Sequence, residues 1–265
     1  MRALALLYHD VVGAGDWDAS GFPGPVPAAY KLERGDFERH LTAATAVAAR
    51  RGTVGDLLEA TPGPAPVLLT FDDGGASAYG CVADLLEDAG WRGHFFITTD
   101  YLGAPGFVTR AQVRELAARG HVIGTHSCSH PNPMSRCTWD ELVDEWTRSA
   151  SALADILGGP VRVASVPGGA FSRRVAAAAA AAGLTALFTS EPTARCDVVD
   201  GCLVIGRYVL RRGASPAVAA ALASGKRFVR LRQQWLWNLK KILKAVGGDL
   251  YPALSRLVHD RVTRA

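Results

Sequence analysis

The chain has little of what several protein classes require. Its five cysteines are an odd number among 265 residues and follow no regular spacing, so the sequence excludes a dense disulfide framework and favours a reducing compartment. It holds no apolar run of about 18 residues, the length that a membrane-spanning helix needs. Its formal charge of +4 is too small for a protein that coats nucleic acid, and we expect no nucleic-acid partner.

The sequence also has little that resembles a secretion signal. The apolar run at residues 3–7 is interrupted early by Tyr8, His9 and Asp10, and no cleavage site of small residues follows at a suitable distance. We therefore interpret this run as a first buried strand. We expect a cytoplasmic protein, with peripheral attachment at the inner face of the membrane as a variant of that expectation.

What is present is an alternation of short β-rich apolar runs and longer stretches of helical periodicity. Thr109 with Gln112 and Thr138 with Glu141 have the spacing of capping boxes and mark two helix starts. This alternation predicts a parallel sheet with helices outside it, and favours a closed or nearly closed α/β barrel over the alternative, an open doubly wound sheet. The seven predicted strands are residues 3–8, 67–71, 94–98, 122–124, 161–166, 186–189 and 203–210.

Two adjacent carboxylates, Asp72 and Asp73, follow the second predicted strand within the sequence TFDDG at residues 70–74. Parallel α/β folds bind ligands at the carboxyl ends of their strands, so these side chains lie where catalytic groups are expected. One carboxylate could bind a metal ion while its neighbour handles a proton. An ordinary turn with a helix N-cap is the alternative, because aspartate favours both positions.

Two histidines four residues apart, His126 and His130, follow the fourth predicted strand in the sequence HSCSH. Such a pair is typical of one metal ion held by both imidazoles. Pro131 disfavours the helical region for His130, so the pair is predicted to lie on a loop that curls back. Two unrelated loop histidines are the alternative. Three further histidines have no partner pattern and are expected at the surface: His40, His121 and His259.

The two features strengthen each other, because both follow a predicted strand and therefore lie at the same rim. One aspartate and two histidines make a three-ligand set with open positions for water and substrate, as in catalytic metal sites. We therefore predict a hydrolase with one divalent metal ion. Zn²⁺ is the first choice, and Co²⁺, Mn²⁺, Ni²⁺ and Fe²⁺ are the alternatives.

The same residues carry a resemblance to a known family. TFDDG looks like the first motif of the polysaccharide deacetylases, also called the NodB-homology or carbohydrate esterase 4 family, and HSCSH matches their second motif, HSxxH. The resemblance covers roughly residues 1–210. It implies a distorted (β/α)7 barrel, with Asp73, His126 and His130 as metal ligands and Asp72 as the catalytic base.

The chain departs from the family in its third motif, which usually holds an arginine and supplies a backbone N–H to the oxyanion. Residues 165–169 read SVPGG here, so Ser165 stands where the arginine is expected. A backbone donor survives a change of side chain, which leaves the N–H of Gly168 as the candidate. A simple strand-to-loop turn is the alternative.

A second departure concerns the general acid. No Leu-x-His sequence occurs near the last predicted strand, where the family's acid normally lies, and that strand offers Arg207 instead. Arg207 could pair with Asp72 in place of the missing arginine, but a guanidinium does not give up its proton. His9, at the end of the first strand, could protonate the leaving amine. A buried structural histidine is the alternative at that position.

The C-terminal part differs in character from the rest. Between Lys226 and Val246 the sequence has seven Lys or Arg residues and no acid, together with an apolar stripe at helical spacing. The stripe comprises Phe228, Leu231, Trp235, Leu239, Ile242 and Val246. We predict a barrel over residues 1–222 and a basic amphipathic helical extension over residues 223–265. The stripe is expected to cover an open seam of the barrel, and contact with an anionic membrane is the alternative.

These observations lead to one main functional hypothesis and two others. The main one is a metal-dependent N-deacetylase that hydrolyses the acetamide of an N-acetylated amino sugar in an envelope glycan precursor, a lipid-linked sugar or a glycosylated metabolite. The motifs specify the bond and the metal site but not the substrate, so a deacylase of a non-sugar or cyclic amide is the alternative enzyme. The altered motifs prompt a third hypothesis, a non-catalytic carbohydrate-binding relative. The sequence does not determine the oligomeric state.

Overall fold

The chain is built around one large sheet whose strands are almost all parallel. The computed structural model describes residues 1–169 and 171–247, with side chains up to residue 239. Its strands are β1 (Leu4–Tyr8), β2 (Val11–Val12), β3 (Leu32–Glu33), β4 (Val67–Phe71), β5 (Gly93–Ile97), β6 (Val122–Thr125), β7 (Val163–Ser165), β8 (Ala186–Phe188), β9 (Asp197–Val199), β10 (Cys202–Ile205) and β11 (Arg207–Val209). Its helices are α1 (Pro25–Ala28), α2 (Arg34–Val47), α3 (Val54–Leu58), α4 (Ala83–Asp88), α5 (Arg110–Ala118), α6 (Trp139–Leu157), α7 (Arg173–Ala181), α8 (Pro216–Ala223) and α9 (Arg227–Gly247).

The sheet has the strand order expected of a distorted α/β barrel. Nine strands follow one another as β11-β1-β4-β5-β6-β7-β8-β10-β9, and β2 pairs separately with β3. Within the large sheet only β10 and β9 are antiparallel. Every residue of β1, β4 and β5 is buried, as expected for parallel strands that are covered on both faces. The predicted fold class is therefore confirmed, and the open doubly wound alternative is not observed.

The last predicted strand is wrong in one respect, because residues 203–210 form two strands instead of one. β10 pairs with β8, whereas β11, directly after Gly206, pairs with β1 at the other edge of the sheet. A Cβ atom at Gly206 would lie 2.4 Å from the carbonyl oxygen of Glu191, so this crossing requires glycine. The change of partner brings the two edges of the sheet together. It also places Arg207 in the interior, where its side chain is fully buried.

Two of the three histidines expected at the surface are buried. His40 on α2 has its Nε2 2.7 Å from the carbonyl oxygen of Ala214. His121, which precedes β6, accepts the N–H of Gly93 on Nδ1 at 3.0 Å and has Nε2 2.9 Å from Glu87 Oε1. The expectation failed because these partners lie far away along the chain. His259 lies outside the described residues.

The segment between β2 and β3 is held by one buried cation. Lys31 is 1% exposed, and its Nζ donates to the carbonyl oxygens of Trp17, Ser20 and Phe22 at 2.6–2.7 Å. Three backbone carbonyls in a segment without regular pairing are satisfied in this way. The fixed segment lays Phe22 against the ring of His130, with 4.9 Å between the ring centroids.

The C-terminal helix α9 contacts the barrel through one side. Gln233 donates from Nε2 to the carbonyl oxygen of Val209 at 3.1 Å, and Val229 packs against the main apolar core. Trp237 lies close to Gly169, since a Cβ atom there would be 3.3 Å from its ring. Within the described part of the chain, no helix is both long enough and apolar enough to cross a membrane.

The prediction that the apolar stripe of α9 covers a seam of the barrel is wrong for its first three members. Phe228, Leu231 and Trp235 are 80%, 48% and 63% exposed, because α9 turns its opposite side toward the barrel. Leu239 is half-buried. The side chains of the last two members, Ile242 and Val246, lie outside the described residues.

Candidate metal centre

Three side chains that could bind a metal ion meet at the carboxyl ends of β4 and β6. Asp73 follows β4, whereas His126 and His130 follow β6. Asp73 Oδ1 lies 3.5 Å from Nε2 of His126 and 3.6 Å from Nε2 of His130. The three candidate ligand atoms all lie within 4.8 Å of one another. The fold thus brings Asp73 together with two histidines that follow it by more than fifty residues in the sequence.

The backbone at this cluster is strained. Asp73, Ser127 and His130 have φ angles of 73°, 66° and 59°, in the left-handed region that residues other than glycine seldom adopt. Each such residue costs on the order of 1–3 kcal/mol, which the surrounding structure must offset. Two of the three candidate ligands are therefore held in conformations that are common at functional sites. The loop after β6 curls back, as predicted, through Ser127 and His130.

In the turn that follows β4, Gly75 makes room for the buried side chain of Asp10. A Cβ atom at Gly75 would lie 1.9 Å from Asp10 Oδ1, so only glycine fits there. The same Oδ1 accepts hydrogen bonds from the hydroxyls of Ser20 and Ser77 at 2.6 and 2.8 Å. Burial raises the pKa of Asp10 and outweighs these hydrogen bonds. The network ties the first motif to the segment that carries Phe22.

His126 is oriented by a hydrogen bond on the side away from the cluster. Its Nδ1 lies 2.9 Å from the carbonyl oxygen of Ser165. A carbonyl oxygen can only accept, so Nδ1 carries a proton and Nε2 is the ring nitrogen that faces Asp73. Metal-binding histidines are commonly fixed by such a bond to the other ring nitrogen.

The loop between the two histidines is fixed by a glutamate on α6. Glu145 Oε2 accepts the N–H groups of Cys128 and Ser129 at 2.8 and 3.0 Å, and its Oε1 accepts the hydroxyl of Ser129 at 2.6 Å. The N–H of His130 donates to Ser127 Oγ at 3.1 Å. Glu145 was not predicted from the sequence. No spacing rule links a glutamate inside a helix with a loop that precedes it by 16 residues.

The second carboxylate, Asp72, faces the cluster but is held by an arginine. Arg207 donates from Nη1 to Oδ1 at 2.6 Å and from Nη2 to Oδ2 at 2.8 Å. Ser165 Oγ donates to Oδ1 at 3.0 Å and accepts from Nη2 of Arg207 at 2.8 Å. Asp72 Oδ2 lies 3.9 Å from Nε2 of His126, so the carboxylate is beside the candidate ligands. This ion pair was one of the possibilities that the sequence left open, and the structure contains it.

Arg207 is fixed on every side. Its Nε donates to the carbonyl oxygen of Thr189 at 3.0 Å. Its guanidinium carbon lies 5.7 Å and 6.0 Å from the ring centroids of Phe96 and Phe188. A planar cation held by stacking and by a two-pronged carboxylate contact has little freedom to move. Arg207 therefore determines the orientation of Asp72.

The ionisation of the site follows from these contacts. Burial opposes the charge on Asp72, but the positive charge of Arg207 outweighs it and keeps the pKa of Asp72 below its usual value. Burial likewise opposes the charge on Asp73, and the neighbouring imidazoles lower its pKa overall. Burial and then the charge of His126 lower the pKa of His130 to about 4. For His126 the two carboxylates outweigh burial and raise the pKa.

His9 lies at the end of β1 and lines the same cavity as Asp72 and Asp73, which has a volume of about 550 Å³. Its Nδ1 is buried without a hydrogen-bond partner, and its ring lies 5.0 Å from that of Tyr30. Both predicted roles, proton donor and structural histidine, are compatible with this position. Trp237 of α9 lines the cavity as well, which the sequence did not indicate.

Gly168, the predicted backbone donor, also lines this cavity and has a φ angle of 60°. This φ angle favours glycine, and a Cβ atom there would lie 2.5 Å from Asn132 Oδ1, so that the Asn132 amide would have to shift. The turn after β7 therefore forms part of the wall of the cavity that Asp72 and Asp73 line.

The donor set of the cluster fits a divalent cation. Adjacent ligands of a tetrahedral zinc ion lie about 3.4 Å apart, for bonds of about 2.0–2.1 Å. The two distances from Asp73 Oδ1, 3.5 and 3.6 Å, are close to that value. One carboxylate and two imidazoles leave further positions open, as catalytic sites do. Cys128 takes no part, because its Sγ is 3.6 Å from the carbonyl oxygen of Glu145.

Comparison with known proteins gives an independent result. Residues 59–187, which include both motifs, match the sequence profile described as polysaccharide deacetylase. A chitin deacetylase of Pestalotiopsis is 31% identical over 105 residues, 40% of this chain and 35% of that protein. An uncharacterized 30.6 kDa protein of Geobacillus stearothermophilus is 30% identical over 132 residues, 49% of this chain and 48% of that protein. The chain thus spans at most about half the length of these relatives.

Solved structures agree with the fold. The deacetylase PplD of Streptococcus pyogenes has a TM-score of 0.66 at 18% identity, over 82% of this chain and 96% of that one. IcaB of Ammonifex degensii has a TM-score of 0.67 at 22% identity, over 84% of this chain and 97% of that one. At these identities the likeness concerns the fold. Together with the profile match over both motifs, it confirms the resemblance of this chain to the polysaccharide deacetylase family.

Proposed function

We propose that this chain is a divalent-metal-dependent N-deacetylase that hydrolyses the acetamide of an N-acetylated amino sugar. The observation that carries the proposal is the juxtaposition of Asp73, His126 and His130, within 4.8 Å of one another, with Asp72, a carboxylate beside them that an arginine orients. The three side chains can thus bind a cation, while Asp72 beside them remains available for proton transfer. The match to the polysaccharide deacetylase profile supports hydrolysis of an amide bond.

Asp73, His126 and His130 would hold the metal ion. When bound, a divalent ion lowers the pKa of a coordinated water and polarises an amide carbonyl, so that hydroxide is available near neutral pH. Zn²⁺ suits this donor set, and Co²⁺, Mn²⁺, Ni²⁺ or Fe²⁺ could replace it.

Asp72 is the proposed general base. Its Oδ2 faces the cluster, 3.9 Å from Nε2 of His126, and so lies within reach of a water beside the candidate ligands. Because Arg207 keeps the pKa of Asp72 low, the carboxylate is ionised at neutral pH and ready to accept a proton. A carboxylate with a low pKa is a weaker base. The fixed orientation of Asp72 partly offsets this loss of basicity.

The amide oxygen gains negative charge as water adds to the carbonyl. The backbone N–H of Gly168, on the cavity wall, is the proposed donor to that oxygen. The amine must then leave with a proton, and His9 is the proposed source. Its Nδ1 lacks a partner within the protein, and Tyr30 packs against the ring and limits its rotation.

The cavity also supports a sugar as the substrate. It combines three aromatic side chains, Phe22, Tyr30 and Trp237, with a small number of polar groups at its base, as is usual for sites that bind small molecules. One of the relatives that this chain matches is a chitin deacetylase. An envelope glycan precursor, a lipid-linked sugar or a glycosylated metabolite would each present such a unit.

The decisive experiment combines metal analysis with a product assay. Chelator-treated protein is reloaded with each candidate metal and mixed with N-acetylglucosamine, short N-acetylglucosamine oligomers and N-acetylated peptides, and released acetate is measured. We expect acetate from the sugars only in the reloaded protein. Asp72→Asn is the matched control, since it keeps size and shape but removes the base.

Each outcome decides between the hypotheses. Acetate from the peptides but not the sugars would favour the non-sugar deacylase. Tight sugar binding without acetate release would favour a carbohydrate-binding relative. Full activity of Asp72→Asn would overturn the proposed mechanism.

A further inference from the structure

We infer that α9 docks on an anionic phospholipid surface and that the site beside it acts on an amino sugar attached to a lipid. The second part of this inference rests on the proposed function, whereas the first does not.

Three large apolar side chains lie on that outer side. Phe228, Leu231 and Trp235 are separated by three and four residues, which places them in one row along the helix. Their exposed fractions are 80%, 48% and 63%. We call this row the outer face of α9. In solution the apolar area of these side chains is exposed to water. Contact with another surface would bury that area, which is favourable.

Positive charge borders the outer face. Arg227, which precedes Phe228, and Arg232, which follows Leu231, are both exposed. No acidic residue occurs between Lys226 and Val246, where seven Lys or Arg residues do. A row of aromatic and aliphatic side chains with arginines beside it is the arrangement that places a helix in the plane of a membrane interface. The acidic headgroups supply the charge that this helix lacks.

The same charge argues against a second copy of the chain as the occupant. Two outer faces in contact would bring two sets of arginines together with no acid from either helix to pair with them. A lipid surface of negative charge has no such conflict.

The helix links this face to the catalytic cavity. Trp237 lies two residues after Trp235, on the side of α9 that faces the barrel, and lines the cavity together with His9 and Asp73. Val26, which is 74% exposed, lines the cavity from the segment between β2 and β3. A membrane on the outer face would therefore lie about one helix diameter, or about 10 Å, from the cavity wall. A sugar headgroup on a lipid could enter the cavity while its tail stays in the bilayer.

The test measures binding and catalysis separately. Full-length protein is sedimented with vesicles of phosphatidylcholine alone and with vesicles that contain phosphatidylglycerol. The variant Phe228→Ser/Leu231→Ser/Trp235→Ser removes the outer face. The matched control Leu58→Ser/Trp139→Ser/Val198→Ser removes three other apolar side chains, which are 46%, 44% and 57% exposed and belong to α3, α6 and β9.

We expect the wild type and the control to bind anionic vesicles at least about tenfold more strongly than neutral ones, and binding to weaken as salt rises. Loss of the outer face should lower binding to anionic vesicles about tenfold or more. Arg227→Gln/Arg232→Gln should lower it by about fivefold for each arginine. Equal pelleting of the outer-face variant and the wild type would overturn docking. Conversion of a dimer into a monomer by that variant, seen by light scattering, would show instead that a second copy covers the face.

The catalytic arm compares two N-acetylglucosamine substrates, the free sugar and hexadecyl N-acetylglucosaminide in anionic vesicles. The outer-face variant should lose about tenfold or more on the vesicle substrate and keep the wild-type rate on the free sugar. Equal rates for variant and wild type on both substrates would refute the lipid-linked substrate. Asp72→Asn should still bind vesicles. If wild-type protein binds vesicles but deacetylates neither sugar, the proposed function fails while docking stands.

Discussion

Arg207 and Asp72 face each other across 135 residues of sequence, with Nη1–Oδ1 and Nη2–Oδ2 distances of 2.6 and 2.8 Å. Both side chains are almost fully out of contact with water, at 0% and 4% exposure. They meet because β11, which begins with Arg207, lies next to β1, and β1 lies next to β4. A buried carboxylate of this kind is stable as an anion only while its partner is present.

Replacing Arg207 by Met should therefore change the pH profile. Without the guanidinium, burial dominates and the pKa of Asp72 rises, so the base is protonated over more of the acid range. The acid limb of kcat/KM should move to higher pH, and the rate at neutral pH should fall by about 10²-fold. The exposed Arg148, paired with Asp144, supplies the matched control Arg148→Met, which should leave the profile unchanged.

The same substitution should also lower the free energy of unfolding, by about 3–5 kcal/mol, because it leaves a buried charge unpaired. Urea unfolding at pH 7 measures this loss. Arg207→Lys keeps the charge and should recover part of both effects. An unchanged acid limb in a folded Arg207→Met protein would argue against the role of Arg207 in holding Asp72.

Metal binding should raise the thermal stability, and the two neighbouring aspartates should differ in this test. Zn²⁺ at about 100 times its dissociation constant should add about 2.7 kcal/mol, which is visible as a rise in Tm. Asp73→Asn should abolish most of that rise because it removes a ligand, whereas Asp72→Asn should keep it while losing activity. A Zn²⁺-dependent rise that Asp73→Asn retains in full would show that the ion binds elsewhere.

The role of His9 can be tested through the leaving group. An amine needs a proton to leave, whereas p-nitrophenolate does not. His9→Gln should lower amide hydrolysis by about 10²-fold or more and leave hydrolysis of p-nitrophenyl acetate within about threefold of the wild type. Equal losses on both substrates would indicate that His9 supports the structure, through its packing on Tyr30, instead of donating a proton.

Glu145 should control metal affinity without touching the metal. Glu145→Ala removes the acceptor for two N–H groups and one hydroxyl in the loop between the histidines, so the loop should lose its fixed shape. We expect a loss of about tenfold or more in Zn²⁺ affinity, measured by competition with a chelator. Glu145→Gln keeps an amide oxygen that can accept both N–H groups and should lie close to the wild type. Asp144→Ala, on the exposed side of the same helix, should have no effect.

Much of the barrel could be predicted because its signals are local. Apolar runs bounded by turn residues identified the strands that carry the site, and β4 lies where it was expected, at Val67–Phe71. The capping boxes at Thr109 and Thr138 are present and begin α5 and α6. Such signals persist because each depends on residues a few positions apart.

The parts that could not be predicted depend on contacts between distant residues. No local pattern shows that residues 203–210 change partner at Gly206, because the reason is the approach of Glu191 from another segment. The outer face of α9 was misassigned for a similar reason. An apolar stripe predicts that a helix is amphipathic but does not say which side contacts the barrel, and here Gln233 and Trp237 do so.

The sequence by itself determined the chemistry that the chain carries: a pair of aspartates and a pair of histidines, each placed after a strand so that all four share one rim. Only the tertiary structure decided how these groups are held. It placed Arg207 against Asp72, Glu145 under the histidine loop and Trp237 in the cavity wall. The physical reason is that motif residues can be recognised from their spacing over a few positions. Their buried partners depend instead on which charges and which free volumes meet where distant strands and helices pack together.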